Sequence, residues 1–149
     1  MRFDVITIFP EVLKTYFDSS VLGRAQKKKK IKINVYDLRD FAADKHKKID
    51  DKPYGGGPGM VFKIEPLVKA VRSLKPVKKT KIILLSAAGK QFSSKMAADY
   101  AKKYNRIILI AGHYEGIDER IKNVIYDLGF KIYEVSIGPY VLTGGEIPA

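Results

Sequence analysis

Three stretches of this chain leave apolar runs and turn at glycine: LLSAAG at 84–89, AGHYEG at 111–116 and SIGPYVLTGG at 136–145. Each offers main-chain donors and acceptors, few charges, and apolar side chains such as Ile137, Tyr140 and Leu142. That combination suits the edges and faces of a flat heterocycle and suits a phosphate poorly. A fourth stretch, DDKPYGGGPGM at 50–60, packs Gly55, Gly56, Gly57 and Gly59 around Pro58. So much glycine costs backbone entropy, and it is expected where a side chain would block unusual backbone angles or the close approach of another chain.

The common chemical motifs do not fit. GGGPGM lacks the lysine and Ser/Thr of a P-loop, and Met60 stands where a dinucleotide fingerprint starting at Gly55 would need glycine. His46 and His113 are the two histidines and there is no cysteine, so a zinc site would have to recruit carboxylates. No serine sits in a G-x-S-x-G elbow, which removes the usual hydrolase reading. Both histidines read as structural or RNA-contacting.

The elements that would position these turns alternate along the chain. Phe3 to Phe9 reads as a strand buried on both faces, and Pro10 opens a helix carrying Val12, Leu13, Tyr16 and Phe17. IKINVYDL is a second strand, and residues 39–60 read as one long loop. A helix follows around Pro66, with Leu67, Val68, Val71 and Leu74 on one face and Pro76 closing it. KIILLS and RIILIAG are continuous apolar strands, separated by a helix from Ser93 or Ser94 that turns Met96, Ala97, Tyr100 and Tyr104 inward. Ile117, Ile121, Val124 and Ile125 fall at helical spacing before the last strand, FKIYEVS. Apolar strands alternating with amphipathic helices predict an α/β fold, a mostly parallel sheet flanked by helices. In such sheets ligands sit beyond the carboxyl ends of the strands, where the three glycine turns fall.

At 149 residues the chain is expected to form a single domain, residues 1–149. Its net charge of +12 favours a polyanion as partner, nucleic acid first. The run Lys27 to Lys30 reads first as a solvated loop, with a binding patch as the alternative. No apolar run approaches the roughly 20 residues of a membrane span, and the N-terminus MRFDVITIFPE is no signal peptide, so no membrane association and a cytoplasmic location are expected.

DDKPYGGGPGM, GHYEGIDER and SIGPYVLTGGEIPA, in this order and spacing, resemble the bacterial tRNA (guanine-N1) methyltransferase family of the SPOUT superfamily. FDVITIFPE, VLGRA and the RDF…H…DD pattern at 39–51 match it too, so the likeness runs along the whole chain. The resemblance implies a SPOUT-type fold with a deep trefoil knot in the C-terminal half, and a homodimer that methylates N1 of the guanine just 3′ of the anticodon of tRNA. The methyl donor would be S-adenosylmethionine, and the full enzyme would bring magnesium to methyl transfer.

Position by position, the resemblance puts the donor on Leu84, Leu85 and Ser86, on Gly112, Tyr114 and Glu115, and on the third turn. There it implies Ser136, Ile137, Gly138, Pro139, Tyr140, Val141, Leu142, Gly144 and Gly145. Arg39, His46, Asp50, Asp51, Gly57, Pro58 and Gly59 would meet the RNA, with Glu115 and Asp50 in support of catalysis. Pro139 stands where the family usually has an acid, and His113 where arginine is usual. The family's general base, an aspartate, and its arginine partner lie on a segment that would follow Ala149, as does a helical tRNA-gripping domain. For these residues the expectation is therefore donor binding, dimerisation and weak tRNA binding without appreciable methyl transfer. Two alternatives stay open: another SPOUT RNA methyltransferase, and a basic RNA-binding module that does not catalyse. A dinucleotide-binding oxidoreductase is disfavoured by the missing fingerprint.

Overall fold

A computed structural model of the chain describes residues 1–52, 56, 59–113 and 117–149. Five parallel strands form one sheet in the order β2-β1-β6-β5-β7. They are β1 (Arg2–Thr7), β2 (Lys32–Asp37), β5 (Thr80–Gln91), β6 (Arg106–Ala111) and β7 (Ile132–Ser136). Two short strands, β3 (Asp50–Asp51) and β4 (Val61–Phe62), pair antiparallel beside it. The helices are α1 (Pro10–Phe17), α2 (Ser20–Lys27), α3 (Ile64–Ser73), α4 (Ser94–Lys103) and α5 (Ile121–Asp127).

The layer each helix occupies follows from handedness. Crossovers between parallel strands are right-handed, so connections that move in opposite directions along the sheet place their helices on opposite faces. The β1-to-β2 and β5-to-β6 steps go one way; the passages from β2 to β5 and from β6 to β7 go the other. The core divides accordingly. Even-numbered strand residues Ile6, Ile82, Leu84, Ile108 and Ile110 pack with Leu67, Val71, Ile121 and Ile125 of α3 and α5. Val5 packs with Leu13 and Phe17 of α1, while Ile83, Ile107 and Val135 meet Met96 and Tyr100 of α4. Alternation with period two on strands buried on both faces requires apolar side chains at nearly every position, which is why these strands read as continuous runs.

Several boundaries differ from the sequence expectation for identifiable reasons. β1 ends at Thr7, and Phe9 is the residue before α1, with Pro10 at the first helical position. A second helix, α2, follows α1 at once. The loop expected over 39–60 holds a 3-10 turn at Leu38–Phe41, capped by Asp37, and then the β3 and β4 pair. Ile117 lies ahead of α5, where it bridges Phe62 of β4. The inward face of α4 is half-buried only.

β5 runs on to Gln91 rather than stopping at Ser86. Its first half pairs with β7 through Leu85 and Val135, and its tail pairs with the same Val135 through Lys90. A strand residue has two edges, so residues 82–85 and 90–91 flank β7 on either side. Gly89 makes this passage possible. A Cβ there would lie 2.5 Å from the Val135 nitrogen and 2.6 Å from the Glu134 carbonyl carbon. The tail also covers an edge that would otherwise be open to pairing with other chains.

Candidate functional site

The exits of β5, β6 and β7 bound a cavity of about 480 Å³. Its walls come from the three glycine turns: Leu84 to Ala88, Gly112 with His113, and Ser136 onward to Gly145. Of the donor residues taken from the resemblance, Leu84, Leu85, Ser86, Gly112, Ser136 and Ile137 line it. Tyr140, Val141, Leu142, Gly144 and Gly145 do so as well. Gly138 and Pro139 do not reach the wall, and Tyr114 and Glu115 lie outside the described residues.

Local chemistry explains the shape of the third turn. The Ser136 hydroxyl donates to the Gly138 carbonyl at 2.8 Å and accepts from the Gly138 N–H at 3.2 Å. Gly138 is thereby folded inward, and a Cβ on it would meet the Tyr140 ring at 2.3 Å. Its main-chain groups are therefore occupied, contrary to the expectation that they face a ligand. Beyond it, Tyr140, Val141 and Leu142 are exposed, and their main-chain groups make no hydrogen bond among the described residues. A donor-and-acceptor edge of this kind, with Leu84, Leu85, Val135 and Ile137 offering apolar faces, fits an adenine-like base.

The turn then returns against β6. Gly145 donates from its N–H to the Gly112 carbonyl at 2.6 Å, and Gly144 bridges His113. Added Cβ atoms would collide with the Ala111 and Gly112 backbone at Gly145, and with His113 and Glu146 at Gly144. The glycines here answer a demand for close approach. Behind them lies Glu146, buried, which accepts the Thr7 hydroxyl at 2.7 Å and faces His113 Nδ1 at 3.4 Å. Two further carboxylates, Glu119 and Glu134, line the cavity and share Lys122 as ionic partner. Two acids against one lysine favour a cationic ligand group.

Sequence reasoning did not assign Glu119, Glu134 or Glu146 to the site. The one available signal was a lone acid inside the uncharged tail GGEIPA, where a charge must find partners if it is buried.

The residues assigned to RNA are brought together in part. The Arg39 guanidinium donates to the Ile8 carbonyl, pairs with Asp37 at 3.6 Å and sits 5.8 Å from the centre of the Phe9 ring. Phe9 in turn meets the His113 ring edge-on at 5.1 Å, which ties Arg39 to the cavity rim. Asp50 pairs with Phe62, and Phe62 bridges Ile117 on the cavity wall. Strand spacing of about 4.8 Å then puts Asp50 roughly 10 Å from that wall. Asp51 is exposed and accepts the Lys52 N–H at 2.9 Å. His46 stands apart in an exposed turn built on Asp44. Gly56 and Gly59 have φ of 73° and 100°, so the glycine stretch uses backbone angles that side chains disfavour. Gly57 and Pro58 are outside the described residues.

Among the described residues no group of three His, Asp or Glu could hold a metal ion. None of their helices is long and apolar enough to cross a membrane.

Comparison with known proteins adds the following. A family model described as tRNA (Guanine-1)-methyltransferase TrmD matches residues 1–149. The chain is 55% identical over 149 residues to a tRNA (guanine-N(1)-)-methyltransferase of Dictyoglomus turgidum, covering 100% of this chain and 58% of that protein. It is 46% identical over 151 residues to the protein of that name from Ruminiclostridium cellulolyticum, covering 100% of this chain and 62% of the relative. With the one from Trichodesmium erythraeum it shares 48% identity over 149 residues, 100% of this chain and 63% of the relative. The chain thus spans 58–63% of the length of these curated relatives.

Proposed function

The chain belongs to the tRNA (guanine-1)-methyltransferase family, and from that premise we propose that its cavity holds S-adenosylmethionine for methylation of N1 of the guanine just 3′ of the anticodon of tRNA. One observation carries the reading: three strand exits converge on a single cavity whose rim offers unpaired main-chain groups and whose walls pair apolar side chains with two carboxylates. S-adenosylmethionine, when bound, supplies an electrophilic methyl group on a positively charged sulfur.

The residues in place do the rest. Tyr140, Val141 and Leu142 present the main-chain edge that orients the adenine, and Leu85, Ile137 and Val135 cover its faces. Glu119 and Glu134, which share Lys122 as ionic partner, stabilise positive charge on the ligand. Guanine N1 carries a proton near neutral pH, so a base must take it during transfer. Arg39, held beside Phe9 and His113, lies toward the rim from which the target nucleotide would enter, and Asp50 stands on β3 about 10 Å from the wall. For Glu115, outside the described residues, the family resemblance implies a supporting role. Among the described residues no cluster of acids and histidines forms a magnesium site.

The same premise carries the trefoil knot, the homodimer and a cytoplasmic location beside the tRNA substrate. What supports a threaded chain is the passage of β5 along both edges of β7. What supports a second copy is the apolar surface left exposed at Val12, Tyr16 and Val21 on α1 and α2.

Calorimetric titration of the protein with S-adenosylmethionine and, separately, with NADH tests the reading. Saturable heat with the former alone is expected. Uptake of NADH, or tRNA binding with no uptake of S-adenosylmethionine, would replace it by the oxidoreductase or by the non-catalytic RNA-binding module.

A further inference from the structure

The start of the sheet, opposite the cavity, collects lysines that the sequence scatters over three separate segments. Main-chain hydrogen bonds join the strand starts in a row: Asn105 N–H to the Lys79 carbonyl at 3.1 Å, Arg2 N–H to Asn105 at 2.9 Å, and Lys32 N–H to Met1 at 3.0 Å. The registers continue it, with Lys32, Arg2, Arg106 and Thr80 as successive partners across four strands. The helices run back against the strands, so α2, α3 and α4 all end here. They add the exposed run Lys27 to Lys30, then Lys78 and Lys79, then Lys102 and Lys103. Between Arg2, Lys29, Lys32 and Asn105 lies a groove of about 490 Å³.

Three observations separate this face from an ordinary solvated one. First, none of these lysines takes part in an ion pair among the described residues, and no acid interrupts the stretches 27–32, 75–80 and 101–106 that carry them. Second, the need of the helix ends is small. Three C-termini carry together about −1.5 charges, which the run Lys27 to Lys30 alone exceeds. Third, lysine stands where glycine is the natural residue. Lys29 and Lys75 follow the ends of α2 and α3 in left-handed conformation, with φ of 55° and 46°, while the matching position after α5 is Gly129 with φ of 82°. A side chain there costs conformational energy that glycine avoids. Unpaired like charges add self-repulsion.

We infer that this strand-start face is a docking surface for the phosphate backbone of a helical RNA arm, separate from the cavity. Lysines fit phosphates as point charges. Tyr104, the aromatic next to the α4 lysines, is turned toward Lys81 rather than outward for base stacking. Six residues of parallel strand set the face about 20 Å from the cavity, too far to hold the reacting nucleotide, so the surface grips a distant part of the same RNA. The inference rests on the reading of the protein as one that acts on RNA.

The test measures binding of a fully paired RNA duplex of about 20 base pairs by fluorescence anisotropy over a salt series. The protein is compared with a Lys29→Gly, Lys75→Gly variant, whose glycines suit the left-handed positions and keep the fold. The variant is expected to melt no lower, to take up S-adenosylmethionine as before, and to bind the duplex several-fold more weakly. Its slope of log affinity against log salt should be shallower by about two. Unchanged duplex affinity and slope would overturn the docking surface while leaving the methyl-donor reading intact. So would equal competition by polyglutamate of matched charge. Loss of donor uptake by the unaltered protein would instead strike the functional reading.

Discussion

The Thr7 hydroxyl and the Glu146 carboxylate meet at 2.7 Å although 139 positions separate them. Thr7 ends β1 and Glu146 follows the third glycine turn, so this contact fastens the last cavity wall to the middle of the sheet. The same hydroxyl accepts the Phe9 N–H at 2.9 Å, and Glu146 also faces His113. A carboxylate in this position orients one wall through its partners without reaching the cavity itself.

Replacing Glu146 by alanine should therefore leave the buried Thr7 hydroxyl without its acceptor and cost about 1–3 kcal/mol. Uptake of S-adenosylmethionine should weaken with it. In a double-mutant cycle with Thr7→Val, the two losses should be clearly less than additive by chemical denaturation. Full additivity would mean that the pair is not coupled.

Two glycines of the same turn should respond in opposite ways. At Gly145 an added methyl meets the Ala111 and Gly112 backbone at 2.7 and 2.8 Å, which cannot move aside. Gly145→Ala should cost about 1–3 kcal/mol. At Gly138 the obstacle is the Tyr140 ring, which is half exposed and free to swing out. Gly138→Ala should leave the melting temperature nearly unchanged but reduce donor affinity, because Tyr140 belongs to the cavity wall. Calorimetry and thermal melts on the two variants distinguish these outcomes.

Gly89 is where β5 crosses to the far edge of β7, against main-chain atoms at 2.5–2.8 Å. Gly89→Ala should push the loop from Ser86 to Ala88 outward, lowering stability by about 1–3 kcal/mol. Amide exchange should rise at Phe92, whose N–H is held by Ser136. Protection at Phe92 equal to that of the parent would show that the tail does not depend on this passage.

Lys81 is buried on the α4 side of the sheet, with its ammonium 3.0 Å from the centre of the Tyr133 ring and 4.7 Å from that of Tyr100. Burial, then the nearby charges of Lys103 and Lys131, bring its pKa down from 10.5 to about 8. Between those values the unfolded chain binds more protons than the folded one. This group therefore adds stability as pH rises from about 8 toward 10.5, and its penalty is complete below that window. Lys81→Met should melt higher than the parent near neutral pH, and the gap should narrow in alkaline buffer. Melting curves at about pH 7 and about pH 9.5 would check it; a gap that stays constant would show that the lysine proton is not the cause.

Much of the architecture was legible in the chain because strands buried on both faces demand continuous apolar runs, as in KIILLS and RIILIAG. Helix limits were legible where a residue has one physical use, as with Pro10 at the start of α1. Ser93 is another case, its hydroxyl accepting the Met96 N–H at the head of α4. The glycine turns at the strand exits announced the cavity for the same reason: close backbone approach has a residue signature. Lys27 to Lys30 shows the converse. A run of lysines reads alike whether it stands alone in solvent or faces Lys79 and Lys103 across the strand starts.

By itself, then, the sequence determined the α/β layering, the three turns that enclose the cavity, and the family, since periodicity and glycine placement are properties of short segments. Only the tertiary structure decided which groups serve as partners. It sealed Gly138 against Ser136, put Glu146 under Thr7, drew β5 around β7, and gathered lysines from distant segments on one face. Charge and hydrogen bonding act over a few ångströms of space, and distance along the chain does not encode that.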